Sequence, residues 1–292
     1  MSRKVENQRF GGPWSLLKVE TVASYLQAFN FALRQQPSPT MPFRRIYIDA
    51  FAGSGDFSFS TEGAPLFDED AAINHHAGSA KRALEVDPPF DELIFIEQSE
   101  KNVAKLRALC APFKSAKVIS GEANDEVRRL CANTDWKKTR GVVFLDPFGA
   151  TVDWQTLEAI GRTKALDVWY LFPLFGLYRN APHDRAALDA NKHRTLTKML
   201  GTDGWQQLFY QAKRSDHANL FGDLPERTIS RIVSVDEMET FLKRRLEEVF
   251  AAVLKPKRLP ETGAPMFSLF FAVSNRRAVK VASRIAGHLL SR

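Results

Sequence analysis

The sequence predicts an α/β fold in which a mostly parallel sheet is covered by helices on both faces. Short runs rich in β-branched and aromatic residues alternate with segments of helical periodicity, an order typical of parallel sheets. The strand runs are almost continuously apolar, as expected for strands that are buried on both faces. With 292 residues and 44% hydrophobic content, the chain is long enough to bury one large core with appendages.

The first predicted element is a helix over residues 16–33, within an N-terminal helical segment assigned to residues 1–42. Prolines at positions 37, 39 and 42 prevent its continuation. Apolar residues recur in steps of three and four, which defines one buried helical face. This face consists of Leu16, Val19, Val22, Leu26, Phe29 and Leu33.

Residues 43–176 are predicted to form the core of the sheet. An insertion over residues 57–77 follows the first strand and is expected to be a loop beside the ligand pocket, before a helix that starts near Gly78 and ends before Pro88. The predicted strands are residues 45–49, 93–97, 117–120, 142–146 and 168–172.

After Pro173 the strand pattern stops, and patterns such as residues 238–253 have helical periodicity. We therefore predict a helical insertion over residues 177–262, as a candidate substrate or partner region. Residues 263–292 are predicted to return a strand and a helix to the core.

Composition limits the classes of function. The formal net charge of +7 suits an anionic partner but is also common in proteins that bind none. Cys110 and Cys131 have no Cys or His at ligand spacing, so a reducing compartment and no metal site are expected. Since neither a signal peptide nor an apolar stretch of membrane-spanning length is evident, a cytoplasmic location is predicted.

A glycine-rich turn, Asp49-Ala-Phe-Ala-Gly-Ser-Gly55, follows the first strand, where open α/β sheets bind ligands. The dinucleotide fingerprint requires a third glycine where this chain has Ser58, which disfavours a nicotinamide-dependent oxidoreductase. Asp49 would repel a pyrophosphate but attract the ammonium or sulfonium group of S-adenosylmethionine (SAM). A tight turn with Asp49 as a cap is the alternative. The predicted SAM-binding residues here are Asp49, Phe51, Ala52, Gly53 and Gly55.

The next two strand ends carry further candidates. Glu97, followed by Gln98, can accept hydrogen bonds from both ribose hydroxyls, although capping the following helix with Ser99 is the alternative. The segment Glu122-Ala123-Asn124 follows the third strand. There a polar side chain can meet the adenine edge, and an N-cap role for Asn124 is equally compatible with the sequence.

The fourth strand ends in Asp146-Pro147-Phe148-Gly149. This segment resembles the Asp/Asn-Pro-Pro-Tyr/Phe motif of amino-methyltransferases, in which oxygen acceptors orient the target amine and an aromatic ring stacks on the base. Phe148 replaces the second proline and Gly149 the aromatic residue. Asp146, Pro147 and Phe148 are the predicted catalytic residues, with Asp146 also beside the cofactor; a structural turn is the alternative.

Two further groups of residues have side chains that are typical of binding sites. His75 and His76 lie near acidic residues, but their spacing favours a solvated loop over a metal site. The insertion mixes basic and aromatic residues, which is compatible both with nucleic-acid binding and with a charged helical surface. The basic residues are Arg185, Lys192, His193, Arg194, Lys198, Lys213, Arg214, Lys243, Arg244 and Arg245, and the aromatic residues are Trp205, Phe209 and Tyr210.

The motifs taken together resemble the three-Cys-motif partner protein family, over about residues 10–275. The residues that carry the resemblance are Phe10-Gly-Gly-Pro-Trp14, Tyr47–Gly55, Phe95-Ile-Glu97, Gly121-Glu-Ala-Asn-Asp125, Phe144-Leu-Asp-Pro-Phe-Gly149 and Trp154–Pro173. The resemblance implies a class I, Rossmann-like methyltransferase fold and a partner that carries three cysteines, a radical-SAM-like protein.

Two functions therefore follow as hypotheses. The first is a SAM-dependent methyltransferase that acts on nucleic acid (RNA or DNA) or a modified nucleoside. The second is a non-catalytic SAM-binding or adaptor subunit of the cysteine-bearing partner, suggested by the altered Asp-Pro-Phe-Gly segment.

Overall fold

The computed structural model describes residues 13–60, 73–147, 152–214, 227–263 and 266–292. The helices are α1 (Pro13–Leu33), α2 (Ser79–Leu84), α3 (Glu100–Cys110), α4 (Ala123–Asn133), α5 (Trp154–Thr163), α6 (Leu174–Asn180), α7 (Ala190–Leu200), α8 (Trp205–Phe209), α9 (Val235–Val249) and α10 (Val279–Leu290), with a 3-10 turn at Arg185–Ala187. The strands are β1 (Arg44–Asp49), β2 (Asp56–Ser60), β3 (Ile73–Ala77), β4 (Glu92–Glu97), β5 (Ala116–Ser120), β6 (Thr139–Leu145), β7 (Leu166–Phe172), β8 (Tyr210–Arg214), β9 (Arg227–Arg231), β10 (Ala252–Val253), β11 (Lys257–Leu259) and β12 (Phe267–Val273).

The described residues form one large sheet in the order β10-β12-β7-β6-β1-β4-β5, with β11 also paired to β12. Strands β7, β6, β1, β4 and β5 are parallel, whereas β12 runs antiparallel to β7 and to both short strands. All six strands predicted from the sequence are present. Because the five parallel strands end at one edge, their terminal residues are brought together there.

Two hydrophobic clusters cover the two faces of the sheet. Ile46 and Ile48 of β1 point into the cluster beneath α5, α7 and α9, whereas Tyr47 between them points into the cluster beneath α1 and α10. This alternation follows from the two-residue period of a strand. None of the helices in the described ranges combines the length and the apolar character that crossing a bilayer requires.

Helix α1 confirms the predicted apolar face. Val19, Val22, Leu26 and Phe29 are buried, the last three within the second cluster, while Leu16 and Leu33 are half-buried near the two ends of the helix. The helix packs along α2 and α10 and covers the face of the sheet around β7 and β12. Its N-terminal turns thereby reach the carboxyl edge of the parallel strands.

The insertion over residues 177–262 is not purely helical, which corrects the prediction. Strands β8 and β9 form an antiparallel hairpin, and β10 and β11 join the main sheet before residue 263. The latter two strands have only two and three residues, too few to establish a two-residue hydrophobic period. Similarly, the insertion expected as a loop over residues 57–77 begins and ends in the paired strands β2 and β3.

Asp167 is a buried carboxyl group that makes the stability depend on pH. Tyr25 Oη donates a 2.7 Å hydrogen bond to its Oδ2, and burial raises the pKa of Asp167 to about 7. The pKa of Asp167 in the folded protein lies above its value in the unfolded chain. Its contribution to the free energy of unfolding is therefore largest below pH 4 and is lost as the pH rises towards 7.

Asp167→Asn is therefore expected to reduce the loss of stability between pH 5 and pH 8 by roughly 3 kcal/mol, since each pKa unit corresponds to about 1.4 kcal/mol. The asparagine oxygen can still accept the hydrogen bond from Tyr25. Urea unfolding of the wild type and the variant at both pH values measures this difference. Equal pH dependence in the two proteins would contradict the assignment.

Candidate functional site

The glycine-rich loop after β1 is held between two neighbouring strands. Ala50 N donates to Phe144 O of β6, and Ala52 N donates to Ile96 O of β4, both at 3.0 Å. Gly53 and Gly55 have positive φ angles of 62° and 90°, which favour glycine because a Cβ atom is strained there. The loop is therefore fixed at the carboxyl edge of the sheet.

A cleft of about 230 Å³ lies between this loop, the start of α1 and the end of β6. Its walls include Lys18 of α1, Phe51, Gly53, Ser79 at the start of α2, Asp146 and Pro147. The structure thus places residues 51–55, Asp146 and Pro147 around one cleft. Phe148 lies outside the described residues.

The two glycines of the loop have different roles. A Cβ atom on Gly55 would come within 2.5 Å of Leu109 Cδ2, so this glycine allows α3 to pack closely. A Cβ atom on Gly53 would meet no atom within 4 Å, although Gly53 lines the cleft. The cleft therefore has open space directly beside the loop backbone, which fits a bound cofactor.

Asp49 lies beneath the cleft and not in its wall. It is completely buried, and its Oδ1 accepts the amide of Phe51 at 3.3 Å. Burial raises the pKa of Asp49 to about 6, while a hydrogen bond from the Ser79 side chain lowers it. The direct attraction to a cationic cofactor expected from the sequence is thus replaced by a structural role, in which Asp49 ties the loop to the start of α2.

Asp146 forms a hydrogen-bonded ion pair with Lys18 through its Oδ2. The side chain of Lys18 is 10% exposed and that of Asp146 is 25% exposed. Within the described part of the chain, Oδ1 of Asp146 has no hydrogen-bond partner. The geometry therefore provides a fixed carboxylate with one oxygen left to accept a hydrogen bond inside the cleft.

Glu97 lies at the end of β4 and is half-buried. Its Oε1 accepts the amide of Ser99 at 2.7 Å, and Ser99, the N-cap of α3, makes no side-chain capping hydrogen bond. Its second carboxylate oxygen has no partner among the described residues. Gln98 is exposed beside it. The arrangement leaves one oxygen for a ribose, and neither residue lines the cleft at Asp146.

The segment after β5 differs from the sequence interpretation of Asn124. Glu122 is the N-cap of α4 and accepts the amide of Asp125 at 2.9 Å. Asn124 Oδ1 accepts the amide of Asp153 at 2.8 Å and the hydroxyl of Thr156 at 2.9 Å. Both of its lone pairs are used. Glu122 Oε1 also accepts the side-chain amide of Asn124 at 2.9 Å, so both side chains are held by contacts within the protein.

The three aromatic residues of the insertion that the sequence suggests for base stacking are not available for that role. Trp205, Phe209 and Tyr210 are buried in the first hydrophobic cluster, which corrects that part of the nucleic-acid interpretation. On helix α9, Lys243 pairs with Glu247 and Arg245 with Glu248, whereas Arg244 is exposed and has no acidic partner among the described residues.

Helix α7 presents the better basic surface. Arg194 and Lys198 line two adjoining clefts, one of which is continued by Glu122 and Asn124 at the carboxyl edge of the sheet. Lys198 lies 3.5 Å from Asp153, whereas Arg194 has no acidic partner among the described residues. Within the ranges that the structure describes, no group of three or more His, Cys, Asp or Glu side chains is placed to hold a metal ion.

Lys18 is the main site residue that the sequence interpretation missed, together with Trp14 and Ser15 on the same wall. Lys18 is spaced four residues before Val22 and seven before Tyr25, which places a lysine on the buried face of α1. A charge in line with apolar positions was the signal that could have identified it.

No protein-family model matches this sequence, and a search of the curated proteins finds no match. Solved structures do match. A protein from Legionella pneumophila assigned to DUF519 is 11% identical, with 95% of this chain and 91% of that chain covered at a TM-score of 0.53. Trm1 from Pyrococcus horikoshii, in complex with S-adenosyl-L-methionine, is 13% identical, with 97% of this chain and 61% of that chain covered at a TM-score of 0.40.

The N-terminal domain of EvdMO1 with S-adenosylhomocysteine (SAH) bound is also similar, at 13% identity and a TM-score of 0.38, over 86% of this chain and 79% of that domain. Of the Trm1 chain, this protein covers about three fifths. At these identities the likeness concerns the fold alone. The chain has an α/β fold with a mostly parallel sheet and helices on both faces, and the DUF519 protein shares this fold.

Proposed function

We propose that this protein is a SAM-dependent methyltransferase whose cofactor lies along the carboxyl edge of β1, β4 and β5. The observation that carries the proposal is the cleft in which the open face of Gly53 and the fixed carboxylate of Asp146 meet. Ligands of open α/β sheets bind at this edge. In this arrangement the loop over residues 51–55 holds the methionine part, Glu97 the ribose, and Glu122 with Ala123 the adenine.

Asp146 is the proposed acceptor-orienting residue. The cofactor supplies an electrophilic methyl group, and attack on it requires an oriented lone pair more than a strong base. Oδ1 of Asp146 would accept a hydrogen bond from an N–H group of the methyl acceptor and thereby direct the acceptor lone pair towards the methyl carbon. Lys18 holds the other carboxylate oxygen and balances its charge.

The proposed acceptor is a nucleic acid or a modified nucleoside. Arg194 and Lys198 on α7 support this class, because their clefts adjoin the edge where Glu122 lies and phosphate groups are bound by such cations. Because Trp205, Phe209 and Tyr210 are buried, contact with the phosphates carries this interaction. The resemblance to the three-Cys-motif partner family further suggests a radical-SAM-like protein as a functional partner.

Gly53→Val tests the cofactor assignment. The β-branched side chain would enter the cleft and strain a positive φ angle, so binding of SAM or SAH is expected to weaken by about 10-fold or more. Isothermal titration calorimetry of the full chain with SAH measures this. Gly263→Val is the matched control, because Gly263 also has a positive φ angle, of 85°, and open space around it, but does not line the cleft.

The two variants separate cofactor binding from backbone strain. Equal affinity for SAH in both would show that the cleft does not hold the cofactor, and absence of binding in the wild type would remove the proposal. Binding of SAH without methyl transfer to RNA, DNA or nucleosides would instead favour the alternative function, a cofactor-binding adaptor subunit.

A further inference from the structure

A second cavity, of about 410 Å³, lies at the opposite edge of the sheet. It is placed between the C-terminal half of α1 and the start of α10, beside Arg140 at the start of β6 and Asp167 at the start of β7. Its volume is within the range of small-molecule sites, roughly 300–1,000 Å³. The cofactor cleft shares none of its lining residues.

The long walls of this cavity are apolar. Phe29 and Leu33 of α1 face Val281 and Ile285 of α10 across it. Val281 is 44% exposed, so an apolar side chain is left at the surface where the cavity opens. Walls of this kind favour a ligand with a hydrophobic body.

Two arginines line the same cavity without an acidic partner. Arg140 Nη1 donates to Trp136 O and Thr139 O, both at 2.7 Å, and its guanidinium lies 4.0 Å from the centre of the Phe43 ring. Arg277 is exposed. In the ranges that the structure describes, neither guanidinium forms an ion pair with a carboxylate, which leaves two positive charges at an apolar cavity.

The charges around the cavity favour an anion. Burial lowers the pKa of Arg140, and the nearby charge of Arg277 lowers it further, so the two cations repel each other and an anion between them would relieve that repulsion. Asp167 also lines the cavity, but its raised pKa of about 7 keeps it protonated at mildly acidic pH, and Tyr25 donates to its Oδ2.

We propose that this cavity binds a small amphipathic carboxylate, with the carboxylate between Arg140 and Arg277 and the apolar body between α1 and α10. Arginine suits this role because its planar guanidinium donates paired hydrogen bonds to a carboxylate. The site is independent of the proposed methyltransferase function.

Calorimetric titration of the full chain at pH 6.5 with octanoate and with 2-naphthoate tests the proposal. These probes distinguish an aliphatic from an aromatic body. Octylammonium, with the same chain and the opposite charge, and acetate, which lacks the apolar body, are the ligand controls. Saturable binding of at least one of the two amphipathic acids, with no binding of either control, is expected.

Variants locate the binding. Arg277→Gln and Val281→Glu, both at exposed positions, are expected to weaken binding of the acid by about 10-fold or more, since they remove the cation or place an anion at the opening. Lys280 is an exposed residue of α10 that does not line the cavity. Lys280→Gln removes its charge and is expected to change the affinity for the acid by less than about twofold. SAH binding, measured in parallel, should be unchanged in all three.

Three results would overturn the proposal. They are the absence of binding of both acids to the wild type, equal binding of octylammonium, and an Arg277→Gln effect no larger than that of Lys280→Gln. Because SAH binding is measured on the same proteins, failure here is distinguishable from failure of the cofactor assignment.

Discussion

Asp146→Asn is expected to lower the rate of methyl transfer by about 10²–10³-fold while leaving SAH affinity within about threefold. Lys18 donates to Oδ2 of Asp146, so the amide oxygen of an asparagine would turn towards Lys18. The amide NH₂ group would then face the methyl acceptor, and two hydrogen-bond donors would oppose each other. Single-turnover transfer of a labelled methyl group from SAM to bulk RNA and DNA measures the rate.

Lys18→Met is the companion variant. It removes the cation that holds Asp146, and since both side chains are largely buried, loss of one partner leaves an uncompensated charge. If the two residues act as one unit, the double variant is expected to lose little more activity than either single variant. Lys243→Met is the matched control, because Lys243 pairs with Glu247 on α9, away from the cleft.

The outcome of this set separates catalysis from folding. Thermal unfolding of each variant reports any loss of stability, and the rate is compared at a temperature where all are folded. If Asp146→Asn transferred methyl groups as fast as the Lys243→Met control, Asp146 would not orient the acceptor.

Gly201→Ala is expected to destabilise the protein by about 2–4 kcal/mol, the sum of a strained positive φ angle and an overpacked contact. Gly201 is the C-cap of α7 with a φ angle of 67°, and a Cβ atom there would overlap the Trp154 ring. Trp154 begins α5 and is buried. Arg245 stacks on the same ring at 4.7 Å and donates to Leu200 O at 3.2 Å, so the surrounding atoms have little room to move.

Gly263→Ala provides the control for backbone strain. Gly263 has a φ angle of 85°, but a Cβ atom there would meet no atom within 4 Å, so a loss of only about 1 kcal/mol is expected. In thermal unfolding, these losses of stability correspond to decreases in melting temperature of roughly 5–12 °C for Gly201→Ala and roughly 2–4 °C for Gly263→Ala. Equal shifts in melting temperature would indicate that α5 and α7 can separate enough to accommodate the side chain that Gly201→Ala adds.

The sequence predicted the sheet because its central strands are almost continuous apolar runs. Residues 45–49 and 93–97 correspond closely to β1 and β4, and the glycine-rich turn between β1 and the insertion was predicted at the right strand end. Strands β8 and β9 were missed, because runs such as Tyr-Gln-Ala-Lys-Arg carry polar residues and form a separate hairpin outside the main sheet. Local hydrophobicity does not reveal such pairing.

The sequence by itself determined which residues come to the carboxyl edge of the sheet, because parallel strands separated by helices end on the same side. Only the tertiary structure decided which of them line the cleft. Asp49 is buried behind the loop, where it accepts hydrogen bonds from the Phe51 amide and the Ser79 side chain, whereas Lys18 reaches Asp146 across 128 positions of the sequence. Long-range packing of α1 produces that contact, and no local pattern of residues encodes the distance between two elements so far apart in the chain.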